Sequence, residues 1–207
     1  MNQSKVAVIG QSGGPTSAIN ATLAGVISGC LTYGFDKIYG MKNGVEGFLN
    51  EELIDLGAYF SSPDCDELTL LSHTPSAALG SCRKKIRDDE TIEKMYAIFE
   101  KYAVDCFFYI GGNDSMDAVR RLSEYACLHP EKRRVCFIGV PKTIDNDLVL
   151  TDHTPGFGSA AKYIAASMQE IMRDCAVYRT RAVTIVEIMG RDAGWLTASA
   201  ALSKKLT

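Results

Sequence analysis

Short apolar runs alternate with segments of helical spacing along this chain, and that alternation constrains the fold more than any other feature. KVAVIG (Lys5–Gly10), KIYGMK (Lys37–Lys42), DCFFYIGG (Asp105–Gly112), RVCFIGV (Arg134–Val140) and RAVTIVEIM (Arg181–Met189) have the length and apolar content of buried strands. Between them the spacing predicts helices over Thr16–Gly34, where Gly34 is the stop signal, over Asp89–Tyr102, Asp114–Ala126 and Gly156–Asp174, and a further helix beginning within Ala193–Lys205. NGVEGFLN (Asn43–Asn50) reads as a glycine-punctuated connection, and residues 50–80 give no clear pattern. Strands that alternate with helices form a mainly parallel sheet with helices on both faces, because parallel neighbours need a crossover. The expected fold is therefore α/β: a doubly wound, mainly parallel, Rossmann-like sheet. Proline, glycine and aspartate gather in PKTIDNDLVLTDHTPGFG, which places a boundary near 141–155, and RAVTIVEIM then belongs to the start of a second α/β domain whose other strands are not evident.

The chain has 207 residues and 46% hydrophobic content, enough for a sizeable core. Its 22 basic and 25 acidic residues nearly balance at a net charge of −3 and form no long run of one sign, which argues against a broad nucleic-acid face but leaves room for a local phosphate site. The seven cysteines, at 30, 65, 82, 106, 127, 136 and 175, include no C-x-x-C pair and read as reduced core thiols. The start MNQSKVAVIG lacks the pattern of a signal peptide, and no apolar stretch is long enough to span a membrane, so a cytoplasmic protein is expected.

In a parallel sheet, ligands bind beyond the carboxyl ends of the strands. Four glycine- or aspartate-rich segments follow expected strands and should share that edge. In GQSGGPTSAIN, Gly13 and Gly14 either let backbone amides approach an anion at a helix start or form an ordinary turn capped by Thr16 or Ser17. In GGNDS, Gly111 and Gly112 admit close approach; Asn113 and Asp114 either hold a hydrated magnesium or contact phosphate, or Asp114 caps a helix. PKTIDND sets Lys142, Thr143, Asp145 and Asp147 together: a general base, a metal or substrate ligand and a charge-neutralising cation, or an Asx-rich turn. In EIMGRDAGW, Gly190 and Arg191 offer donors to phosphate, or the arginine is solvated. LGSCRKK adds a fifth cluster, with Arg83 as a phosphate contact and Lys84 and Lys85 read as solvated. Five such segments at one edge suggest phosphoryl transfer.

SGGPTSAIN, LGSCR, GGNDS, PKTIDND and VEIMGRDAGW occur in this order and spacing in the phosphofructokinase family, which this chain resembles over nearly its whole length. The resemblance implies conversion of fructose 6-phosphate to fructose 1,6-bisphosphate, a step of glycolysis, in a cleft between two α/β domains with Mg2+, by a cytoplasmic homo-oligomer that engages neither nucleic acid nor membrane. It implies a donor-binding domain over 1–145 and the beginning of a sugar-phosphate-binding domain over 146–207, in a family whose chains are much longer than 207 residues. ATP-using members usually carry glycine where this chain has Asp114 and Lys142. That pair resembles the pyrophosphate-dependent branch: Asp114 would occupy and repel the place of a nucleotide α-phosphate, and Lys142 would attract pyrophosphate. The family more often has aspartate at 113, so Asn113 keeps an oxygen for magnesium without the charge. Carried over by position, Asp145 is the implied base toward the sugar 1-hydroxyl, and Thr143 and Asp147 are substrate or metal-shell contacts. Gly13, Gly14, Arg83, Gly112 and Asp114 are implied at the donor; Met189, Gly190 and Arg191 at the sugar phosphate, with Lys142 and Arg191 assisting catalysis. An ATP-dependent enzyme, or a non-catalytic subunit or fragment of one, is the alternative.

Overall fold

The computed structural model describes residues 4–206, with side chains up to 204; residues 1–3, the first of the MNQSKVAVIG start, and Thr207 lie outside the described residues. The chain divides into two compact units, Met1–Lys142 and Thr143–Thr207.

The first unit is a five-stranded sheet. Its strands are β1 (Val6–Gln11), β2 (Lys37–Met41), β3 (Leu53–Asp55), β4 (Cys106–Gly111) and β5 (Cys136–Pro141), in the order β3-β2-β1-β4-β5. Every pairing is parallel except β2 with β3. Strand residues alternate between two cores, as a pleat requires. Val6 and Val8 of β1 and Phe107 and Tyr109 of β4 enter one core; Ala7, Ile9 and Ile110 enter the other. The second core is covered by α1 (Ile19–Thr32) through Ile19, Leu23, Ala24 and Ile27, and by Leu68 of α3 (Asp66–His73). The first is covered by α4 (Asp89–Lys101) through Ile92, Met95, Tyr96 and Phe99, and by α5 (Asn113–Leu128) through Val119 and Leu122. Phe99 anchors it in aromatic contacts, with ring centroids 5.2 Å from Phe48, 5.5 Å from Phe107 and 5.8 Å from Phe137. Helices therefore lie on both faces of a mainly parallel sheet, as the alternation requires.

Two local readings change. Asn43–Asn50 is not a plain connection, since Gly44–Leu49 forms helix α2. Val45 and Phe48, three apart, are fully buried in the core, so packing holds the helix despite its glycines. Gly47 is there for contact: a Cβ would lie 1.6 Å from the Lys42 carbonyl oxygen. Nor are all the cysteines core thiols. All seven are unpaired and Cys30 and Cys82 are buried, but Cys127 and Cys136 are exposed.

The second unit contains α6 (Phe157–Ala176), α7 (Trp195–Ser199) and 3₁₀ turns at Arg191–Ala193 and Ala200–Leu206. The strand expected at Arg181–Met189 is absent: these residues are irregular, with a bend at Met189 and with Val183 and Ile185 each 92% exposed. Among the described residues this unit holds no strand, and a lone apolar run without a ladder partner leaves its backbone groups to solvent. The helix begun after Gly194 is broken rather than continuous. Ser199 Oγ donates to the Leu196 carbonyl at 2.6 Å and Ser203 Oγ to the Ala200 carbonyl at 2.7 Å, side-chain bonds three residues back that favour the tighter turn.

Among the described residues no helix is long and apolar enough to cross a membrane.

Candidate functional site

The order β3-β2-β1-β4-β5 reverses direction at β1, so the crevice between the carboxyl ends of β1 and β4 is the topological switch point. The chain leaves β1 through Ser12, Gly13 and Gly14 and leaves β4 through Gly111 and Gly112. Gly13 has φ +75, in the left-handed region that favours glycine. A Cβ on Gly111 would lie 2.1 Å from Ser115 Oγ and 2.5 Å from Ser12 Oγ, so only glycine lets the two loops meet.

Lys142 closes the group. It follows β5, its backbone N–H donates to the Gly111 carbonyl at 2.9 Å, and its ammonium donates to the Gly14 carbonyl. Only 8% of the residue is exposed. A Cβ placed on Gly13 would be 3.5 Å from Lys142 Nζ and 3.8 Å from the Gly112 nitrogen, which measures how closely the three approach. A cation this buried is expensive unless hydrogen-bonded, and the Gly14 carbonyl accepts from it here. The structure thus brings Gly13, Gly14, Gly112 and Lys142 to one place.

LGSCR joins them without following a strand of its own. Gly13 N–H donates to the Cys82 carbonyl at 3.1 Å, and Ser81 Oγ donates to the Gly13 carbonyl at 2.5 Å. Two buried amides that belong to no motif set this loop in place. Gln11 accepts from the Leu79 N–H at 2.9 Å and donates to Asn20 Oδ1 at 3.0 Å; Asn20 also accepts from the Ala78 N–H at 2.8 Å and donates to the Thr74 carbonyl at 2.9 Å. The available signal was a polar residue at the end of an apolar strand and another on the apolar face of a helix. Arg83 follows Cys82 with an exposed side chain.

Below the loops, Ser12 and Ser115 hydroxyls share a short hydrogen bond, and both residues are buried. Tyr109 lies beside them, its oxygen 3.8 Å from Cys82 Sγ; burial pushes its phenol far above the usual range, so it is a neutral group. The alternative of a loop capped by Thr16 or Ser17 is not realised. Ala18 occupies the cap position with no side-chain cap, and Thr16 Oγ1 is buried without a hydrogen-bond partner.

Asn113 and Asp114 open α5, exposed in its first turn. Gly112, not Asp114, is the cap residue. Asp114 instead pairs with Lys85 at 2.8 Å, which corrects the reading of Lys85 as merely solvated. Both line a cavity of about 620 Å3 with Ile86, Arg87, Asn113, Asp117 and Arg121. Among the described residues no group of three or more His, Cys, Asp or Glu side chains is placed to hold a metal.

The remaining candidates lie in the second unit. Thr143 and Asp145 are half-buried, and the Asp145 N–H donates to Thr143 Oγ1 at 3.0 Å. Asp147 is exposed. Asn146 between them has φ 60, donates to the Asp152 carbonyl at 3.0 Å and accepts from the Thr154 N–H at 2.8 Å, so it pins the loop 146–154. Met189 is 70% exposed, Gly190 is buried with φ 135, and Arg191 is exposed with φ 47. Since residues 181–189 form no strand, the Gly190–Arg191 segment does not follow a strand of the sheet as expected.

The first unit is thus an α/β sheet with glycine loops, a buried ammonium and cationic side chains at its switch point, an arrangement suited to a phosphorylated ligand. The phosphofructokinase family model matches residues 5–206, and the chain belongs to that family. It is 43% identical over 204 residues to the pyrophosphate–fructose 6-phosphate 1-phosphotransferase of Halomonas elongata, covering 93% of this chain and 46% of that protein. The crystal structure of the pyrophosphate-dependent phosphofructokinase from Marinobacter aquaeolei matches with a TM-score of 0.79 at 41% identity, covering 96% of this chain and 49% of that one. The enzyme of the same description from Nitrosospira multiformis gives 0.81 at 40% identity, with the same coverage. The chain spans about half the length of the relatives it matches.

Proposed function

We propose that this chain carries the phosphoryl-donor site of a pyrophosphate-dependent fructose 6-phosphate 1-phosphotransferase, acting in glycolysis as a cytoplasmic homo-oligomer. The observation that carries the reading is the buried Lys142 ammonium held against the Gly13–Gly14 loop at the switch point. A fixed positive charge beside backbone amides stabilises a transferring phosphoryl group without reorganisation. Asp114, in the first turn of α5, supports pyrophosphate over a nucleotide because its carboxylate repels the further phosphate that a nucleotide carries. The descriptions of the relatives agree with that donor.

Within this reading residues 1–145 bind the donor and 146–207 begin the sugar-phosphate part. Gly13, Gly14, Gly112 and Arg83 contact pyrophosphate. Asp145 takes the proton of the sugar 1-hydroxyl, Thr143 and Asp147 hold the substrate or its metal shell, and Met189, Gly190 and Arg191 receive the sugar phosphate. Mg2+ binds phosphates with few protein ligands. Asn113, exposed in the first turn of α5, is the residue that would offer such an ion an oxygen, and the ion when bound offsets phosphate charge.

The test is kcat/KM for fructose 6-phosphate with saturating pyrophosphate or ATP in the full-length gene product. Pyrophosphate supporting turnover and ATP failing to do so is the expected result. Preference for ATP overturns the donor assignment, and absence of turnover with either points to a non-catalytic role.

A further inference from the structure

We propose that Lys85 is a specificity-determining residue of the donor site, its ion pair offsetting part of the Asp114 charge so that pyrophosphate is admitted beside a carboxylate that still occupies the place of a nucleotide's further phosphate. The inference rests on the pyrophosphate reading above and deepens it. A carboxylate that discourages a nucleotide also repels pyrophosphate, an anion of higher charge density. A donor site that keeps Asp114 therefore needs a counter-charge for it.

The structure supplies one. Lys85 Nζ lies 2.8 Å from Asp114 Oδ1, with the two side chains 48% and 66% exposed. They reach each other from different elements, Lys85 from the segment after Arg83 and Asp114 from the first turn of α5, and both line the same cavity. Two other charged groups of that cavity, Asp117 and Arg121, pair with each other and not with Asp114. Asp117 pairs with Arg120 at 2.7 Å and with Arg121 at 3.2 Å, and Arg121 also donates to the Arg87 carbonyl at 3.3 Å. Among the described residues Lys85 is the one cation within ion-pair distance of Asp114. Removing it leaves the carboxylate without an ion-pair partner and changes no other ion pair among the described residues.

The pair is exposed, so its strength is that of a surface pair, and its influence on a bound anion falls with salt. That dependence separates a charge effect from a structural one. In the full-length gene product, calorimetry gives Kd for inorganic pyrophosphate in wild type, Lys85→Met, Asp114→Asn and the double variant, at low and at high ionic strength. Lys85→Met raises Kd about 2–5-fold at low salt, the range set by one exposed charge interaction, and the difference shrinks at high salt. In the Asp114→Asn background the same substitution has little effect, so the cycle shows coupling. An unchanged Kd in Lys85→Met, or an equal rise with and without the Asp114 carboxylate, overturns the proposal. A wild type that turns over ATP in preference to pyrophosphate overturns the underlying donor reading as well; a wild type that uses pyrophosphate with a silent Lys85→Met refutes Lys85 alone.

Discussion

Gly111→Ala tests whether the meeting of the β1 and β4 loops is as tight as the structure makes it. The new Cβ falls 2.1 Å from Ser115 Oγ, 2.5 Å from Ser12 Oγ and 2.6 Å from Ser115 Cβ. The hydroxyls can rotate away, but only by giving up the bond between them. Ser115 Cβ cannot rotate, because the backbone of α5 fixes it. Bringing it to an ordinary carbon–carbon separation of about 3.5 Å requires a backbone shift of roughly 0.9 Å from the 2.6 Å contact. Overpacking of this kind costs about 1–3 kcal/mol, and loss of the buried serine pair adds about 1 kcal/mol. The sum is about 2–4 kcal/mol, large against a total stability of roughly 5–15 kcal/mol. The shift also reaches the site, because the Gly111 carbonyl accepts from the Lys142 N–H at 2.9 Å. Urea unfolding should show a midpoint lowered by about 1–2 M at a slope near 2 kcal/mol/M, with pyrophosphate affinity reduced under folded conditions. Ser115→Ala alone is the control and should cost only about 1 kcal/mol. A Gly111→Ala protein within about 0.5 kcal/mol of wild type, the range of an inconsequential surface change, would refute the close-approach argument.

Lys142→Met keeps the side-chain volume and removes the buried ammonium; pyrophosphate turnover should fall by about 10²–10³ in full-length protein while the thermal midpoint, read by calorimetry, holds or rises. Asp145→Asn keeps shape and removes basicity, so kcat should fall by about 10²–10⁴, and steady-state kinetics showing a loss of less than about threefold would exclude the base role. Asp88 caps α4 by accepting from the Thr91 N–H at 2.7 Å, and that backbone bond holds its carboxyl below the usual range. A lowered native value means that the contribution is present above the unfolded carboxylate value of about 3.9 and is lost as pH falls through the native one. Thermal midpoints measured across acid pH should therefore drop more steeply in wild type than in Asp88→Asn.

The four parallel strands were legible because each carries its evidence locally, a short apolar run with a glycine or proline within or soon after it; β3, three residues in the unpatterned 50–80 segment, was not. α2 was not, because Gly44 and Gly47 look like punctuation and their reason is tertiary. Gly47 is small because the Lys42 carbonyl sits where its side chain would be. Arg181–Met189 failed in the opposite sense. Its composition is that of a strand, but a strand exists only as a partner, and local composition cannot say whether a partner is present.

The candidate site shows the same division. Gly13, Gly14 and Gly112 could be found as loop glycines, since backbone freedom is a property of the residue itself. Lys142 could be found as a cation beside them, yet its burial against the Gly14 carbonyl depends on β5 lying next to β4 in register, Gly111 opposite Pro141. Gln11 and Asn20 have no motif, although they fix the 74–79 segment and with it the approach of Ser81 and Cys82 to Gly13. Lys85 is the sharpest case. In sequence it is one of two adjacent lysines with no distinguishing neighbour. What singles it out is that α5 begins where its side chain ends, so Asp114 is 2.8 Å away and Lys84 has no such ion pair among the described residues. Charge specificity in such a site is a property of two elements brought together by the sheet, and a reading confined to one segment at a time could reach each member but not the pair.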